Sequence, residues 1–336
     1  MRRVALTLSA LAATSLLLSA CGGSSDSSDP AAPQSVESGQ TVAQFWPLTG
    51  LKVPSNKTAE LDHPVLVAKM DNTESSQPQV GLSKADLVVE ELVEGGLTRL
   101  AAFYYSQIPS NAGPIRSMRA SDIDVVSPVH ASMVTSGAAP KTISRIQAAH
   151  IPFYGEGAKG MYRTSERIAP YNLLVHLNTV AETAKTKKPA TPPDYLTWGT
   201  DKDLPKGVKA TSITAQFSGG HGTQWKFTNG TYHNTNSNAP AGDQFPATNV
   251  LVLRVREGDA GYLDPAGNHV PETLLTGKGA AMLFHNGKMV KATWHKGKVA
   301  TSPITLTAKK GDLKVPAGHT WIELVPINGG NVTFTK

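Results

Sequence analysis

The chain contains a single cysteine, Cys21, which directly follows a short apolar segment near the N-terminus. A chain with one cysteine forms no internal disulfide, so a buried core must supply its stability even in an oxidising compartment. The 336 residues are enough for two ordinary domains with such cores. The cysteine count therefore predicts a core-stabilised fold.

The residues before Cys21 have the layout of an export signal. Arg2 and Arg3 form a positive start, residues 4–18 are apolar but too short to span a bilayer, and residues 18–21 read LSAC. This order resembles the lipobox of bacterial lipoproteins, in which the cysteine receives a diacylglycerol and cleavage exposes its amino group. The resemblance implies lipidation of Cys21, with palmitate among the acyl chains, at the extracytoplasmic face of the cell membrane. The alternative is an ordinary signal peptide with a chance cysteine.

Composition divides the chain into five segments. We predict a signal peptide over 1–20, a flexible tether over 21–44, an N-terminal α+β domain over 45–185, a linker over 186–206 and a β-rich C-terminal domain over 207–336. The tether is rich in Ser, Gly and Pro and has almost no apolar side chain, and the linker is rich in Pro and Lys. The expected fold class is α+β, with a mixed α/β N-terminal lobe packed on a mostly antiparallel β C-terminal lobe.

Side-chain periodicity predicts the individual elements. β-Forming runs predict strands over 64–70, 85–93, 97–105, 132–135, 248–256 and 319–325. Helices are expected over 139–150 and 178–185, and over 121–126 with Ser121 as the N-cap. Asn229-Gly230 and Asn286-Gly287 lie between alternating segments and predict two β-hairpins, because both turn residues need a positive φ.

Several familiar catalytic arrangements are absent from the sequence. With Cys21 as an anchor no thiol remains as a nucleophile, and neither Ser-x-x-Lys nor Gly-x-Ser-x-Gly occurs. No two of the 10 histidines lie within four residues of each other, which excludes a local His-Glu-x-x-His zinc motif. The formal charge of +6 is too mild for a nucleic-acid partner. We therefore expect no cofactor, metal or nucleic acid, and these absences favour a protein that is not an enzyme.

Charged and amide side chains cluster at strand ends and turns of the N-terminal half, which would place them at one rim of a sheet. Period two puts Glu90 and Glu94 on one side of their strand and Glu91 on the other. Arg116 and Arg119 flank a predicted helix start, where backbone N–H groups attract anions. The candidate ligand-binding residues are Asp71, Asn72, Glu90, Glu94, Arg99, Arg116, Arg119, Asp122, Arg163, Arg167 and Asn172.

This rim has three interpretations. Arginine forks suit carboxylate or phosphate oxygens, so the rim is a candidate site for an anionic ligand. It is also a candidate structural network, because half-buried charges must be paired. A third interpretation is an acid–base pair of Glu90 with Glu94 or Asp122. In both of the first two cases, one rim should hold Arg99, Arg116, Arg119 and Arg167 together with Asp71, Glu90 or Glu94, and Asn172.

The C-terminal half offers two weaker signals. Trp225, Tyr232, Trp294 and Trp321 fall at alternating strand positions, where core packing is the usual role, although such aromatics also form platforms for sugars or peptides. His221 lies in the glycine-rich loop 219–222, and a lone histidine of this kind is more often incidental than catalytic. The sequence therefore assigns no catalytic residue.

The polar clusters resemble a known family. Residues 71–72 (DN), 77–82 (QPQVGL), 94–99 (EGGLTR) and 113–117 (GPIRS) are similar to motifs of the YerB-like lipoproteins, catalogued as DUF3048 with an N-terminal and a C-terminal part. Arg167, Pro170 and Asn172 also fit, as do residues 249–250, 294–296 and 318–322. Leu97 and Met118 depart from the residues that are common there. The resemblance covers nearly everything after residue 45 and implies a two-part α+β envelope lipoprotein with no established reaction.

Three functional hypotheses follow. The first is a membrane-anchored lipoprotein that binds an anionic envelope ligand or a protein partner through the arginine- and carboxylate-rich rim. The second is a carboxylate-dependent hydrolase of a cell-wall polymer. The third is a structural envelope protein whose β-rich half supplies an interface.

Overall fold

The computed structural model describes residues 44–336, so Cys21, the predicted signal peptide and nearly all of the predicted tether lie outside the described residues. The helices in this range are α1 (Asp122–Val126), α2 (Pro140–Ala148) and α3 (Leu177–Thr183). The strands of the N-terminal half are β1 (Leu66–Asp71), β2 (Leu87–Leu92), β3 (Thr98–Tyr104), β4 (Ser132–Val134), β5 (Phe153–Tyr154), β6 (Met161–Arg163) and β7 (Leu173–Val175). The remaining strands are β8 (Trp198–Gly199), β9 (Val208–Lys209), β10 (Ser212–Gln216), β11 (Gly222–Thr228), β12 (Thr231–Asn234), β13 (Asn249–Leu263), β14 (His269–Leu274), β15 (Gly277–His285), β16 (Lys288–Lys296), β17 (Thr305–Ala308), β18 (Gly311–Asp312), β19 (Val315–Pro316), β20 (Thr320–Pro326) and β21 (Asn331–Thr335).

A mixed sheet of 13 strands runs through the described part of the chain. Its order is β18-β17-β16-β15-β13-β20-β2-β3-β1-β4-β5, with β14 paired to β13 and β9 paired to β16. A second sheet has the order β12-β11-β10-β21, and β19-β8 and β6-β7 form two-stranded ribbons. Strand β2 pairs in parallel with β20, with Glu90 opposite Glu323. Strands from the two halves of the sequence therefore share one sheet.

Strands β1, β2 and β3 lie in the middle of this sheet and are buried on both faces, which explains their long apolar runs. One face, here called the helix face, carries Val67 and Phe103 and packs against α1 and α2. The opposite face, here called the sheet face, carries Val88 and Trp321 and packs under the four-stranded sheet through Trp225. Polar residues on β1–β3 therefore point to one of two separate environments.

Both predicted hairpins are present. Asn229 (φ 52) and Gly230 (φ 86) join β11 to β12. Asn286 (φ 47) and Gly287 (φ 67) join β15 to β16 in the same way. Positive φ at both central residues matches the right-handed twist of the flanking strands, which is why Asn-Gly was informative.

The α+β fold class is confirmed, and strands dominate it. Ser121 is the N-cap residue of α1, as expected, but its hydroxyl donates to Glu91 and makes no capping hydrogen bond to the helix. No helix within residues 44–336 is long and apolar enough to cross a bilayer.

The segment 186–206 joins the two halves and makes ordered contacts. Tyr195 is fully buried and its hydroxyl donates to the Val125 carbonyl at 2.9 Å. Trp198 pairs with Val315 in the β8–β19 ribbon. The domain boundaries stay a prediction, and the segment between them is packed against its neighbours rather than free of contacts.

Candidate functional site

The helix face of β1–β3 holds a closed charge network around Lys69. The Lys69 ammonium donates to Glu91 and, at 2.7 Å, to Asp122 Oδ1. Asp122 also accepts from the Arg119 backbone N–H at 2.6 Å, and Ser121 donates to Glu91. Burial raises the pKa of Asp122, and the charge of Lys69 opposes that shift. The side chains of the two ion pairs are 0–1% exposed, so no ligand reaches them.

Glu94 holds two arginines at the end of the same face. Arg99 Nη2 lies 3.1 Å from Glu94 Oε1, and Arg119 Nε donates to Glu94 Oε2 at 2.9 Å. Both arginines also donate to the Ser117 carbonyl, at 2.7 and 3.3 Å. Burial and the charge of Arg119 lower the pKa of Arg99 to about 10. Burial alone would raise the pKa of Glu94, but the hydrogen bond and charge of Arg119 lower it. The guanidinium groups of Arg99 and Arg119 are therefore already bound by groups of the protein.

Arg116 is the most open arginine of this group, with a side chain that is 22% exposed. Its Nε lies 3.0 Å from Asp71 Oδ2, at an angle that makes no hydrogen bond. Its guanidinium carbon lies 5.4 Å from the ring centroid of Tyr171. Asp71 also accepts from the Thr73 backbone N–H at 2.8 Å and hydroxyl at 2.5 Å. Arg116 therefore connects the charge network to Tyr171.

The sheet face holds a different polar group, centred on Glu90, which is fully buried. Glu90 Oε1 accepts from Asn72 Nδ2 at 2.9 Å and from the Thr98 hydroxyl at 2.7 Å. Glu90 Oε2 accepts from the Thr223 hydroxyl at 2.9 Å and from the Trp321 indole N–H at 3.2 Å. All four of these donors are neutral.

His221, from the loop between β10 and β11, is the charged partner of Glu90. Its Nε2 lies 3.1 Å from Glu90 Oε1 and 2.8 Å from Thr98 Oγ1. Burial alone would lower the pKa of His221, but the hydrogen bond and charge of Glu90 raise it. Burial alone would likewise raise the pKa of Glu90, but the hydrogen bond and charge of His221 are the main reasons that it is lowered. Both shifts favour the ion pair between the carboxylate and the protonated imidazole.

A second buried carboxyl, Glu323, lies beside Glu90 in the adjacent strand β20. Trp225 Nε1 donates to Glu323 Oε1 at 2.7 Å, while Oε2 has no donor among the described residues. Burial and the charge of Glu90 raise the pKa of Glu323 well above its ordinary value. The raised pKa favours the protonated, neutral form of Glu323 beside the ionised Glu90.

A polar cavity of about 600 Å³ opens beside His221. The imidazole is 16% exposed, and its Nδ1 has no hydrogen-bond partner within residues 44–336. Segments from both halves of the sequence form the walls, which present mainly amides and hydroxyls with one aromatic ring and one carboxylate. The lining side chains include Asn72, Thr73, Glu74, Ser75, Gln77, Leu97, Tyr171, Asn236, Ser237 and Asn238.

The residues of the predicted rim lie in five different places. The exposed Arg163 is bound by Glu156, with Nε at 2.6 Å from Oε1, and donates to Asn172 Oδ1 at 2.6 Å. Arg167 Nη1 donates to the Ser76 carbonyl at 3.1 Å. One group, by contrast, contains Asp71, Glu94, Arg99, Arg116 and Arg119. Asn72 and Glu90 lie on the sheet face, and Asp122 lies in the Lys69 network.

The expectation that Glu90 and Glu94 share a side is wrong. Strand β2 ends at Leu92, and Glu94–Gly96 form a 3-10 turn in which Gly95 has a φ of 71. The turn carries the Glu94 carboxylate to Arg99, on the face opposite Glu90. Period two applies only within the strand.

Sequence reasoning treated His221 as incidental and did not single out Thr98, Thr223 or Glu323. No local spacing connects them, because His221 is 131 residues from Glu90 and Thr223 is 133 residues away. Only the parallel pairing of β2 with β20 brings Glu323 to the same place. The sequence offered one signal for this polar group, which is the position of His221 in a glycine-rich loop next to a predicted strand.

Other motifs do not form sites. The four candidate platform aromatics, Trp225, Tyr232, Trp294 and Trp321, are 0–2% exposed and belong to the core. The sequence also contains the glycine spacing Gly-x-Gly-x-x-Gly at 155–160, but it lies between β5 and β6 and opens no helix, so it lacks the context of a dinucleotide-binding turn. Within residues 44–336, no group of three or more His, Cys, Asp or Glu side chains is arranged to hold a metal ion.

The fold and the charge network define a sheet-dominated α+β protein whose two halves share one sheet. Residues 48–190 match the N-terminal domain of "Protein of unknown function (DUF3048)", and residues 213–322 match its C-terminal domain. The chain belongs to the DUF3048 family, as the motif resemblance implied.

A curated relative and a solved structure agree with this assignment. "Putative lipoprotein YerB" of Bacillus subtilis (strain 168) is 48% identical over 73 residues, which are 22% of this chain and 21% of the relative. The matched segment thus spans about a fifth of that relative's length. The crystal structure of the YerB protein from Bacillus subtilis superposes with a TM-score of 0.71 at 20% identity, covering 86% of this chain and 99% of that one. The superposition supports the fold alone.

Proposed function

We propose that this chain is a lipid-anchored protein of the extracytoplasmic membrane face that binds a polar, anionic envelope ligand in the His221 cavity. The observation that carries the ligand half is the His221 ring, which lines the cavity. Buried Glu90 holds this ring through Nε2, and Nδ1 has no hydrogen-bond partner within residues 44–336. The anchor half rests on residues 18–21, LSAC, and on the name of the Bacillus subtilis relative.

The charge of the site argues for an anion. Glu90 is ionised inside the fold, where a charge needs a compensating partner. Among the groups that contact its carboxylate within residues 44–336, His221 is the one that can carry a positive charge. The protonated imidazole then has one N–H engaged inside the protein and the Nδ1–H free to donate to a ligand oxygen.

The walls of the cavity argue for a polar ligand rather than an apolar one. Amides and hydroxyls predominate, and the Tyr171 ring supplies a face against which a sugar or peptide group can pack. Glu74 is the one carboxylate in the lining, so His221 and Glu74 set opposite charges within the same cavity. A ligand with an acidic group among hydroxyls or amides fits these walls.

The arginine rim is a weaker candidate for the same role. Arg99 and Arg119 are bound by Glu94 and by backbone carbonyls, which leaves Arg116 as the partly open member. The hydrolase hypothesis has little support at this place, because the carboxyl groups of Glu90 and Glu323 are both fully buried behind His221.

The anchor is tested by Cys21→Ser in the full chain. We expect the variant to move from the membrane fraction to the soluble fraction with an unchanged melting temperature, because two acyl chains contribute about 0.8 kcal/mol per buried CH₂. A variant that stays with the membrane would contradict lipid anchoring at this residue.

The cavity is tested by titration calorimetry of the full chain with soluble wall fragments that carry carboxylates, and with the same fragments amidated. We expect the acidic forms to bind and His221→Gln to weaken binding roughly tenfold or more, since a hydrogen bond to a charged group contributes about 1.5–3 kcal/mol. The matched control is His233→Gln, an exposed histidine on β12. Equal binding of the amidated forms, or equal losses in both variants, would contradict the proposal.

The same titration has an expected pH dependence. The ordinary pKa of histidine, 6.5, is raised at His221 by Glu90, so the imidazolium persists above that value. Binding should be strongest below the raised pKa and should weaken as the pH rises through it. The other ionisable groups around the ring are Glu323 behind Glu90, and Glu74 and Tyr171 in the cavity wall.

A further inference from the structure

A lysine-rich groove lies on the C-terminal half, formed by β9, β16 and the turn between β17 and β18. It encloses about 380 Å³, and four of its nine lining residues are lysine while none is acidic. Lys206, Lys291, Lys309 and Lys310 form the walls, and Val208 and Met289 contribute to an apolar floor. Four lysines therefore line a common space that has no acidic residue in its lining.

The groove continues into a second depression of about 260 Å³, which shares Pro205, Lys206 and Val290 with the first and adds Lys288. The one carboxylate in this second part is Asp201, whose Oδ1 lies 2.9 Å from His285 Nε2. The two depressions together make an elongated surface with lysines along its length.

The arrangement of these lysines is unfavourable in the isolated protein. Lys209 of β9 is the direct register partner of Lys288 of β16. Like charges at directly opposed positions of an antiparallel pair are destabilising. The lysines of residues 44–336 that have ion-pair partners are Lys69, Lys185 and Lys296, all elsewhere. Within residues 44–336, none of the lysines along the groove forms an ion pair.

We propose that this groove binds a linear polyanion with repeated phosphate groups. Lysine ammonium groups are compact point charges suited to single phosphate oxygens, and their spread along a concave surface matches a chain of charges rather than one ion. A concave groove also fits an extended polymer better than the flat surface of a bilayer. This site is separate from the His221 cavity and does not depend on it.

The test uses the full chain carrying Cys21→Ser and long-chain inorganic polyphosphate as the probe, with orthophosphate and phosphatidylglycerol vesicles as comparisons. We expect tight binding of polyphosphate at low salt and no competition by orthophosphate at equal phosphorus concentration. The fourfold variant Lys288→Gln, Lys291→Gln, Lys309→Gln, Lys310→Gln should weaken binding on the order of 100-fold. The slope of log affinity against log salt should fall by about three, because each lost contact removes roughly 0.7–0.9 from it.

The matched control removes the same charge elsewhere, in Lys57→Gln, Lys159→Gln, Lys226→Gln and Lys278→Gln. Near-wild-type binding by this control, and by His221→Gln, supports the groove. Equal losses in the two fourfold variants would show that net charge alone attracts the polymer and would overturn the proposal. Tighter binding to vesicles than to polyphosphate would overturn the choice of occupant, and no binding to polyphosphate would overturn the site. Should the fourfold variant fail to fold, Lys309→Gln and Lys310→Gln singly supply the same readout.

Discussion

Both faces of β1–β3 carry buried charged groups, and the protein pairs these groups in different ways. On the helix face, Lys69 meets Glu91 and Asp122, and the nearby arginines meet Glu94 and Asp71. On the sheet face, the charge of Glu90 is met by neutral donors and by one histidine that also lines a cavity. The charges of the helix face are paired inside the protein, whereas the charge of Glu90 on the sheet face is paired with a histidine that is partly exposed to solvent.

The difference separates a structural role from a binding role. The helix face brings together four cations and four carboxylates, Lys69, Arg99, Arg116 and Arg119 with Asp71, Glu91, Glu94 and Asp122, so no charge is left for a ligand. On the sheet face the compensating charge sits on a partly exposed ring with a free nitrogen edge. Strongly perturbed groups in a cavity are the better indicator of function.

The largest effect is expected from Lys69→Met. The substitution keeps the volume of the buried stem but leaves Glu91 and Asp122 without their cation in a fully buried place. Breaking a buried pair in this way costs about 3–5 kcal/mol. Denaturant unfolding measures the loss, and adding Glu91→Gln and Asp122→Asn should restore part of it. A loss under about 1 kcal/mol would mean that the helix face is not a structural network.

An intermediate effect is expected from Arg119→Ala, with Arg116→Ala as its matched control. Arg119 is almost buried and removing it deprives Glu94 of its closest partner, so we expect a loss of about 2–3 kcal/mol. Arg116 is more exposed, and Asp71 keeps both donors from Thr73, so we expect a loss of about 1 kcal/mol or less. Thermal or denaturant melts compare the two. If Arg116→Ala lost more stability than Arg119→Ala, Arg119 rather than Arg116 would be the more weakly bound arginine of the network.

The sequence predicted the framework because its signals are local. Positive-φ Asn-Gly pairs, apolar runs in β1–β3 and the Pro- and Lys-rich segment before β9 are readable from a few neighbouring residues. The clustering of Asp71, Glu94, Arg99, Arg116 and Arg119 was also predictable, since these residues sit at strand ends and turns of adjacent strands. Their function remains a prediction.

The sequence could not predict which face each charge would occupy or what the C-terminal half would add. The turn at Gly95 reverses the side on which Glu94 lies, and a turn of this kind leaves no period in the sequence. His221 and Glu323 reach Glu90 through pairings between distant strands and loops. Arg163 binds Glu156, and Arg167 binds backbone carbonyls, instead of joining the rim. These contacts depend on how the segment 156–172 folds, which the sequence does not show.

The smallest effect is expected from Glu323→Gln, and it sharpens the description of the sheet face. If Glu323 is protonated and donates to Glu90, an amide of the same shape replaces that donor, and the free energy of unfolding near neutral pH should change by less than about 1 kcal/mol. Glu90→Gln is the comparison, and it should cost more, because it leaves the half-buried His221 cation without its carboxylate.

The pH dependence of unfolding gives the sign of the Glu323 effect. A carboxyl whose pKa is raised above its ordinary value of 4.5 contributes stability that is fully present below 4.5 and is lost as the pH rises through the raised pKa. The wild-type chain should therefore lose stability over that window, and the Gln variant, with no proton to lose, should lose less. Glu90, whose pKa is lowered, acts in the opposite direction, because its contribution is lost as the pH falls below 4.5. Denaturant melts at a series of pH values measure both slopes. Parallel curves for the wild type and Glu323→Gln above pH 4.5 would show that Glu323 is ionised in the folded protein, and the shared proton would then not exist.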